Sequence, residues 1–186
     1  MVKKKACVFI SGNGSNLKAI IKNSRDPNFP IKVSLVISNS KKAFGIKYAK
    51  IFSIPYKVIN GEMIRFEHKA LRLLNENKIE LVCLAGFMRI LSKKFLRKFN
   101  GKIINIHPSL LPKYKGLNTF KKAIENKDMF TGCTIHYVNE KLDAGKIIFK
   151  KRVEIKSKIE EFVKRSVQLQ EYNAYSIAIR KIYNKS

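Results

Sequence analysis

The chain has no tryptophan, only three cysteines and five prolines, and 13 acidic residues against 39 lysines and arginines. Each scarcity excludes something. Cys7, Cys83 and Cys133 are odd in number, far apart and set in apolar runs, with no C-x-x-C spacing. Neither a disulfide framework nor a zinc site of the usual spacing is supported, and buried thiols in a reducing cytoplasm fit best. No apolar run approaches the ~20 residues of a spanning helix. The opening "MVKKKACVFISGNG" places basic residues before an apolar run, but the run breaks at Ser11 and Gly12, too soon for a signal peptide. The expected location is therefore cytoplasmic, with no membrane partner. The acid deficit leaves a net charge of +26. Such a charge suits nucleic acid, anionic surfaces or acidic substrates. Yet the lysines are spread from Lys3 to Lys185 without a dense block, amid many Asn, Ile, Phe and Tyr. Solvated faces of a compositionally drifted chain are the plainest reading, an anion-attracting field the second, and a dedicated nucleic-acid site the third. A nucleic-acid-binding module would interleave aromatic residues with lysine on one exposed face, and no such stripe is present.

What the chain does contain is alternation. "KACVFI", "KVSLVIS", "LVCLAGF" and "KIINI" are continuous apolar runs, as in strands buried on both faces of a parallel sheet. "NLKAIIKN", "AFGIKYAKIF", "MIRFEHKALRLLNEN" and "LSKKFLRKF" between them carry helical periodicity. This order predicts an α/β fold: a Rossmann-like, mostly parallel sheet with helices on both faces. Beyond Pro112 come a helix, "FKKAIEN", and two strands, "TGCTIHYV" and "KIIFKKRVEI", expected to pair antiparallel, then one long C-terminal helix ending at "KIY". Residues 1–186 are expected to form one domain.

In such sheets ligands bind beyond the carboxyl ends of the strands, and four unusual stretches fall there. "SGNGSNL" opens helix one; its glycines and helix N-terminus suit a phosphate. It lacks the lysine of a P-loop, and Leu17 stands where a dinucleotide fingerprint needs its third glycine. The alternative is an ordinary tight turn with Ser15 or Asn16 as N-cap. In "LAGFMRIL", the backbone of Met88, Arg89, Ile90 and Leu91 could line an apolar cleft for a flat ring, or Arg89 could merely cap a surface turn. In "IINIHPSLLP", Asn105 and His107 alternate and so point the same way at a strand end. Together they suit an oxyanion that grows during acyl transfer. In "LDAG", Asp143 could favour a charged imidazole or simply form an Asx turn. His68 reads as a surface residue, and His136 in "TIHYV" stays open.

"SGNGSNL", "LAGFMRILS", "INIHPSLLPKYKG", G-x-T-x-H-x-V from Gly132 to Val138, and "LDAG" occur in unbroken order. This series resembles the phosphoribosylglycinamide formyltransferase family, folate-dependent enzymes of purine synthesis. The resemblance implies formyl transfer from 10-formyltetrahydrofolate, a co-substrate, to the glycyl amine of 5'-phosphoribosylglycinamide, with no metal. It further implies that Gly14, Ser15 and Asn16 take the ribonucleotide phosphate and Met88 to Leu91 the pterin. Asn105, His107 and Asp143 would be the catalytic trio, Asn105 also touching the folate. Arg65 would lie on the folate side and Glu171 would contact the ribonucleotide substrate. A monomer or weak homodimer, with no specific nucleic acid, is the expected state.

The chain departs from the family text after Pro112: in "YKGLNTF", Lys115 stands where a proline is usual, and Asn118 and Phe120 stand where histidines are usual. Weakened binding or rate is the expectation if those histidines assist the substrate. Two rivals share the trio. Methionyl-tRNA formyltransferase would use the positive charge but carries a second domain, for which 186 residues leave no room. Formyltetrahydrofolate deformylase would need an N-terminal regulatory domain.

Overall fold

The protein is described by a computed structural model over residues 2–183, whose packing divides into two compact units, 1–104 and 105–186. In the first unit, β1 (Lys4–Ile10), β2 (Ile31–Ser38), β3 (Tyr56–Val58) and β4 (Leu81–Leu84) form a sheet in the order β3-β2-β1-β4. β1 pairs in parallel with both β2 and β4, and β2 with β3. Ala6 to Ile10 and Leu81 to Leu84 are buried, which explains why these strands show no polar alternation. The chain runs outward from β1 to β3, then returns to the other side of β1 for β4. The loops after β1 and β4 thus flank the switch point of the sheet, where open α/β sheets bind ligands.

The helices of this unit are α1 (Ser15–Ser24), α2 (Ile46–Ile51), α3 (Met63–Glu76) and α4 (Lys93–Lys98). α3 buries Phe66, Glu67, Ala70 and Leu74, one face at helical spacing. Phe9 of β1 sits among three rings, 5.5 Å from Phe66, 5.4 Å from Phe87 and 6.3 Å from Phe95.

β5 (Lys102–His107) begins in the first unit, at the edge beside β4, and ends in the second, where the order is β5-β6-β7. There β6 (Phe130–Tyr137) and β7 (Ile147–Glu154) pair antiparallel, as the late apolar runs predict. α5 (Thr119–Glu125) precedes them, and α6 (Glu160–Tyr183) packs on both strands with Val163, Val167, Ala174, Tyr175, Ala178, Ile179 and Ile182 inward. Among the described residues no helix is long and apolar enough to cross a membrane.

Three elements differ from the sequence expectation. β4 stops at Leu84 rather than continuing through Phe87, because Gly86 turns the chain at φ +69°. α2 shortens to six residues, since Gly45 before it is drawn against the loop after β1. β3, three residues at the sheet edge, is too short for any periodicity to announce it.

Candidate active site

The loop after β1 meets helix α1 without a side-chain cap. Gly14 occupies the N-cap position in the left-handed region, φ +72°, so neither Ser15 nor Asn16 caps the helix. The N-terminus of α1 is left to present backbone N–H groups and the positive end of its dipole, an arrangement suited to an anion. A second glycine holds the loop in place: Gly45 N–H donates to Gly12 O at 2.9 Å. A Cβ on Gly14 would lie 2.4 Å from Gly45 Cα. Gly14→Ala is therefore expected to destabilise the fold by about 1–3 kcal/mol from the overpacking alone, with further strain from the positive φ. Urea unfolding checks this; an unchanged midpoint would contradict the close packing.

The loop after β4 exposes Met88 and Ile90, at 75% and 71%, while Leu91 is buried. Exposed apolar side chains on a turned backbone can border a flat apolar ring. The segment is tied at both ends. Ser11 N–H donates to Gly86 O at 3.2 Å, and Met88 N–H donates to Ser11 Oγ at 2.8 Å. At the far end the buried carboxylate of Glu67 accepts from Ser92 N–H at 2.6 Å and Ser92 Oγ–H at 2.5 Å. Ser92 in turn caps α4 through Phe95 N–H. Arg89 Nη1 donates to Gly61 O at 2.6 Å. Arg65, in the first turn of α3, is exposed, as is His68, the surface residue expected.

In the second unit Asn105, His107 and Asp143 converge. His107 and Asp143 are buried, at 4% and 8% exposure, and Asn105 is half-buried. His107 Nδ1 lies 3.2 Å from Asp143 Oδ2, and Nε2 lies 2.7 Å from Tyr114 O. A carbonyl only accepts, so Nε2 keeps its proton whatever the charge of the ring, and Nδ1 is the nitrogen that gains or loses one, donating to the Asp143 carboxylate when protonated. Gly116 N–H also donates to Asp143 Oδ2, at 2.9 Å. His136, buried at 2%, closes the cluster. Its Nδ1 is 2.9 Å from Tyr137 O, so its Nε2 faces Asn105 Nδ2 at 3.4 Å and Asp143 Oδ1 at 3.6 Å. That nitrogen is thus within reach of both the Asn105 amide and the Asp143 carboxylate. Gly145 makes room for this arrangement, since a Cβ there would overlap Tyr137 O at 1.6 Å.

The loop that delivers the Tyr114 carbonyl is fastened independently. Tyr114 Oη–H and Lys113 Nζ both donate to Asp128, at 2.8 and 3.0 Å, and Ser109 Oγ–H donates to Lys113 O at 2.6 Å. Thr134 Oγ1 links Ser109 O and Leu111 N–H, at 2.7 and 3.1 Å, holding the proline-bounded turn to β6. Lys115 is exposed and Phe120 half-buried, and Asn118 stands before α5 at φ +59°, a conformation asparagine tolerates better than most residues.

Electrostatics separate the groups. Burial pushes the His107 pKa below its ordinary value, outweighing the Tyr114 carbonyl and the Asp143 charge, which act upward; neighbouring His136 pulls it down too. Burial alone would raise Asp143, but hydrogen bonds from His136 and Gly116 and the charge of His107 bring it below its ordinary range. Asp143→Asn removes one upward influence on His107, so His107 should titrate at still lower pH, which NMR of the imidazole ring would follow; a rise would contradict the pairing. Glu171, half-buried on α6, helps burial push the Cys133 thiol up to about 12. Cys7 and Cys83 are likewise raised by burial.

The trio named from sequence thus comes together, with His136 added. The phosphate-type loop and the 88–91 segment share Ser11. Sequence reasoning did not find Tyr114, Glu67, Gly45 or Ser11 in these roles, because backbone acceptors and loop-to-loop bonds leave no pattern along the chain.

Comparison with known proteins adds a direct finding. Residues 4–179 match the family described as Formyl transferase. Phosphoribosylglycinamide formyltransferase of Haemophilus influenzae is 42% identical over 183 residues, 95% of this chain and 86% of that protein. Human trifunctional purine biosynthetic protein adenosine-3 is 47% identical over 160 residues, 83% of this chain but only 16% of the larger protein. The chain thus spans under a fifth of the trifunctional relatives it matches. Glycinamide ribonucleotide transformylase 1 of Symbiobacterium toebii superposes with a TM-score of 0.93 at 32% identity, covering 98% of this chain and 88% of that one.

Proposed function

The chain belongs to the formyl transferase family, and from that premise we propose that it moves a formyl group from 10-formyltetrahydrofolate to the glycyl amine of 5'-phosphoribosylglycinamide. The observation that carries the mechanism is the pinned tautomer of His107, with Nε2–H on Tyr114 O and Nδ1 beside Asp143. The amine nitrogen attacks the formyl carbon, forming a C–N bond and a tetrahedral intermediate with an oxyanion. Neutral His107 takes the amine proton on Nδ1, and the new imidazolium is stabilised by Asp143. The Asn105 amide, steadied by His136, gives the oxyanion a hydrogen bond. When the bond to the folate nitrogen breaks, Nδ1–H returns the proton to that nitrogen, directly or through water. The products are the formylated amide and tetrahydrofolate, so atoms balance.

In this reading Gly14, Ser15 and Asn16 hold the phosphate, Glu171 the glycyl amine, Met88 to Leu91 the pterin and Arg65 an acidic part of the folate. Both substrates are anions, which the +26 charge attracts. Residues 1–186 act as one formyltransferase domain, and three buried thiols suit the cytoplasm.

A pH prediction follows from the direction of the His107 shift. The base must be neutral, and its pKa lies below the ordinary value near 6.5. Activity should therefore fall with acid only below about pH 6.5, and in Asp143→Asn the residual activity should fall at lower pH still. A parent acid limb well above that value would contradict the assignment.

The deciding experiment follows loss of 10-formyltetrahydrofolate spectroscopically with and without phosphoribosylglycinamide. Turnover only with the ribonucleotide is expected. Folate consumption without it would indicate a deformylase, and none with either, in folded protein, would overturn the proposal and direct the next trial to methionyl-tRNA.

A further inference from the structure

Ser11, Asn39 and Arg89 bind the two loops at the switch point of the first unit into one piece, and the trio is not involved. Asn39, half-buried just after β2, is assigned with its amide nitrogen toward Ile10 O, at 3.2 Å, and Ser11 Oγ, at 2.7 Å, because only that orientation sets donors against acceptors at both ends of the amide. Its Oδ1 then accepts from Arg89 Nε at 3.0 Å. Arg89 reaches on through Nη1 to Gly61 O, just before α3. Ser11 completes the bracket, donating through its backbone N–H to Gly86 O and accepting from Met88 N–H at its Oγ. Four loops, after β1, after β2, after β4 and before α3, are thus joined through three side chains. The 86–90 segment needs such support. Phe87 anchors its inner side, 5.4 Å from Phe9 and 5.2 Å from Phe66, but Gly86 and the exposed Met88 and Ile90 give its outer side little packing, and weakly packed stretches open most easily.

We infer that Asn39, with Ser11 and Arg89, is a positioning residue through which an anion in the 12–16 loop and a flat ring against the 88–91 segment strengthen each other's binding. This rests on the formyl-transfer reading for the identity of the two ligands. The physical reason is shared ordering. Ser11 opens one loop and holds the backbone of the other, so a ligand that stills the first loop removes part of the ordering the second ligand would otherwise require. Coupling of this kind is reciprocal: each ligand changes the other's affinity by the same factor. Arg89 therefore does more than cap a turn, since its Nε spans to Asn39 while its Nη1 holds Gly61 O.

The test measures tetrahydrofolate binding by calorimetry with and without phosphoribosylglycinamide, a pair that cannot react because no formyl group is present. In the parent chain, about fivefold or tighter binding is expected with the ribonucleotide present, and the reverse titration should give the same factor. Asn39→Leu, similar in size but unable to hydrogen-bond, should bring that factor to within about twofold of one. Ser11→Ala, which deletes only Oγ, should do the same if Asn39→Leu does not fold. A parent factor near one, or a variant that keeps the parent factor, overturns the bracket while the formyl-transfer reading stands. Failure of both ligands to bind the parent overturns both.

Discussion

His107→Ala is expected to slow formyl transfer by about 10²–10⁴-fold, the usual contribution of a positioned acid–base group, while the fold persists. The imidazole is buried at 4% exposure, but what surrounds it is polar: Tyr114 O, Asp143 and His136. Alanine leaves room for water beside the carbonyl and the carboxylate, so their loss of a partner is partly made good and circular dichroism should be unchanged. The loss should fall on kcat, with KM for either substrate shifting little, because in the proposed step His107 acts on the migrating proton. Asp143→Ala should cause a comparable loss, since it removes the stabiliser of the same imidazolium. The double variant should be little worse than either single one, because groups that act as a unit are not additive. A slower rate without that plateau, or near-normal turnover in either single variant, would show that the proton travels by another route.

Phe9→Ala is expected to cost about 3–5 kcal/mol of stability, the usual range for a buried phenylalanine. At ~2–4 °C per kcal/mol for a chain of this size, the melting temperature should fall by roughly 10 °C. Phe9 is fully buried in β1, with rings at 5.4 to 6.3 Å on three sides. Those rings come from α3, α4 and the turn after β4, so one strand residue braces three elements. Phe87 directly follows Gly86, so loosening this cluster also frees the segment carrying Met88 to Leu91. Folate KM should rise in the variant before kcat changes. A loss under about 1 kcal/mol would mean that the surrounding rings collapse into the space, as well-relaxing cores do.

Acid should weaken the fold in a defined order. A group whose pKa is lower folded than unfolded resists protonation by folding, so its contribution to stability is present above the unfolded value and fades as pH falls. For His107 that fading begins below about 6.5, and for Asp143 below about 3.9. His107→Gln should flatten the upper part of this decline in thermal melts; an undiminished slope there would assign it to other groups.

The amino-acid order alone determined the architecture and the expectation that Asn105, His107 and Asp143 would lie together. Continuous Val- and Ile-rich runs between amphipathic stretches can bury themselves only as a largely parallel sheet under helices. Asn105 and His107, two apart on β5, must share a face because side chains alternate. "SGNGSNL" announced an anion-type turn, and the ordered motifs from Ser11 to Gly145 carried the family. Three things were settled only by the tertiary structure. The choice between Nδ1 and Nε2 of His107 depends on a carbonyl seven residues away, and any residue could have supplied that carbonyl. The place of His136 depends on where β6 and the loop carrying Asp143 meet. The turn at Gly86 and the bracket of Ser11, Asn39 and Arg89 depend on loops distant in sequence and adjacent at the sheet's switch point. Side-chain periodicity records which face is buried. It does not record which backbone atom a side chain will find there, because every residue type carries the same carbonyl and nearly every one the same N–H.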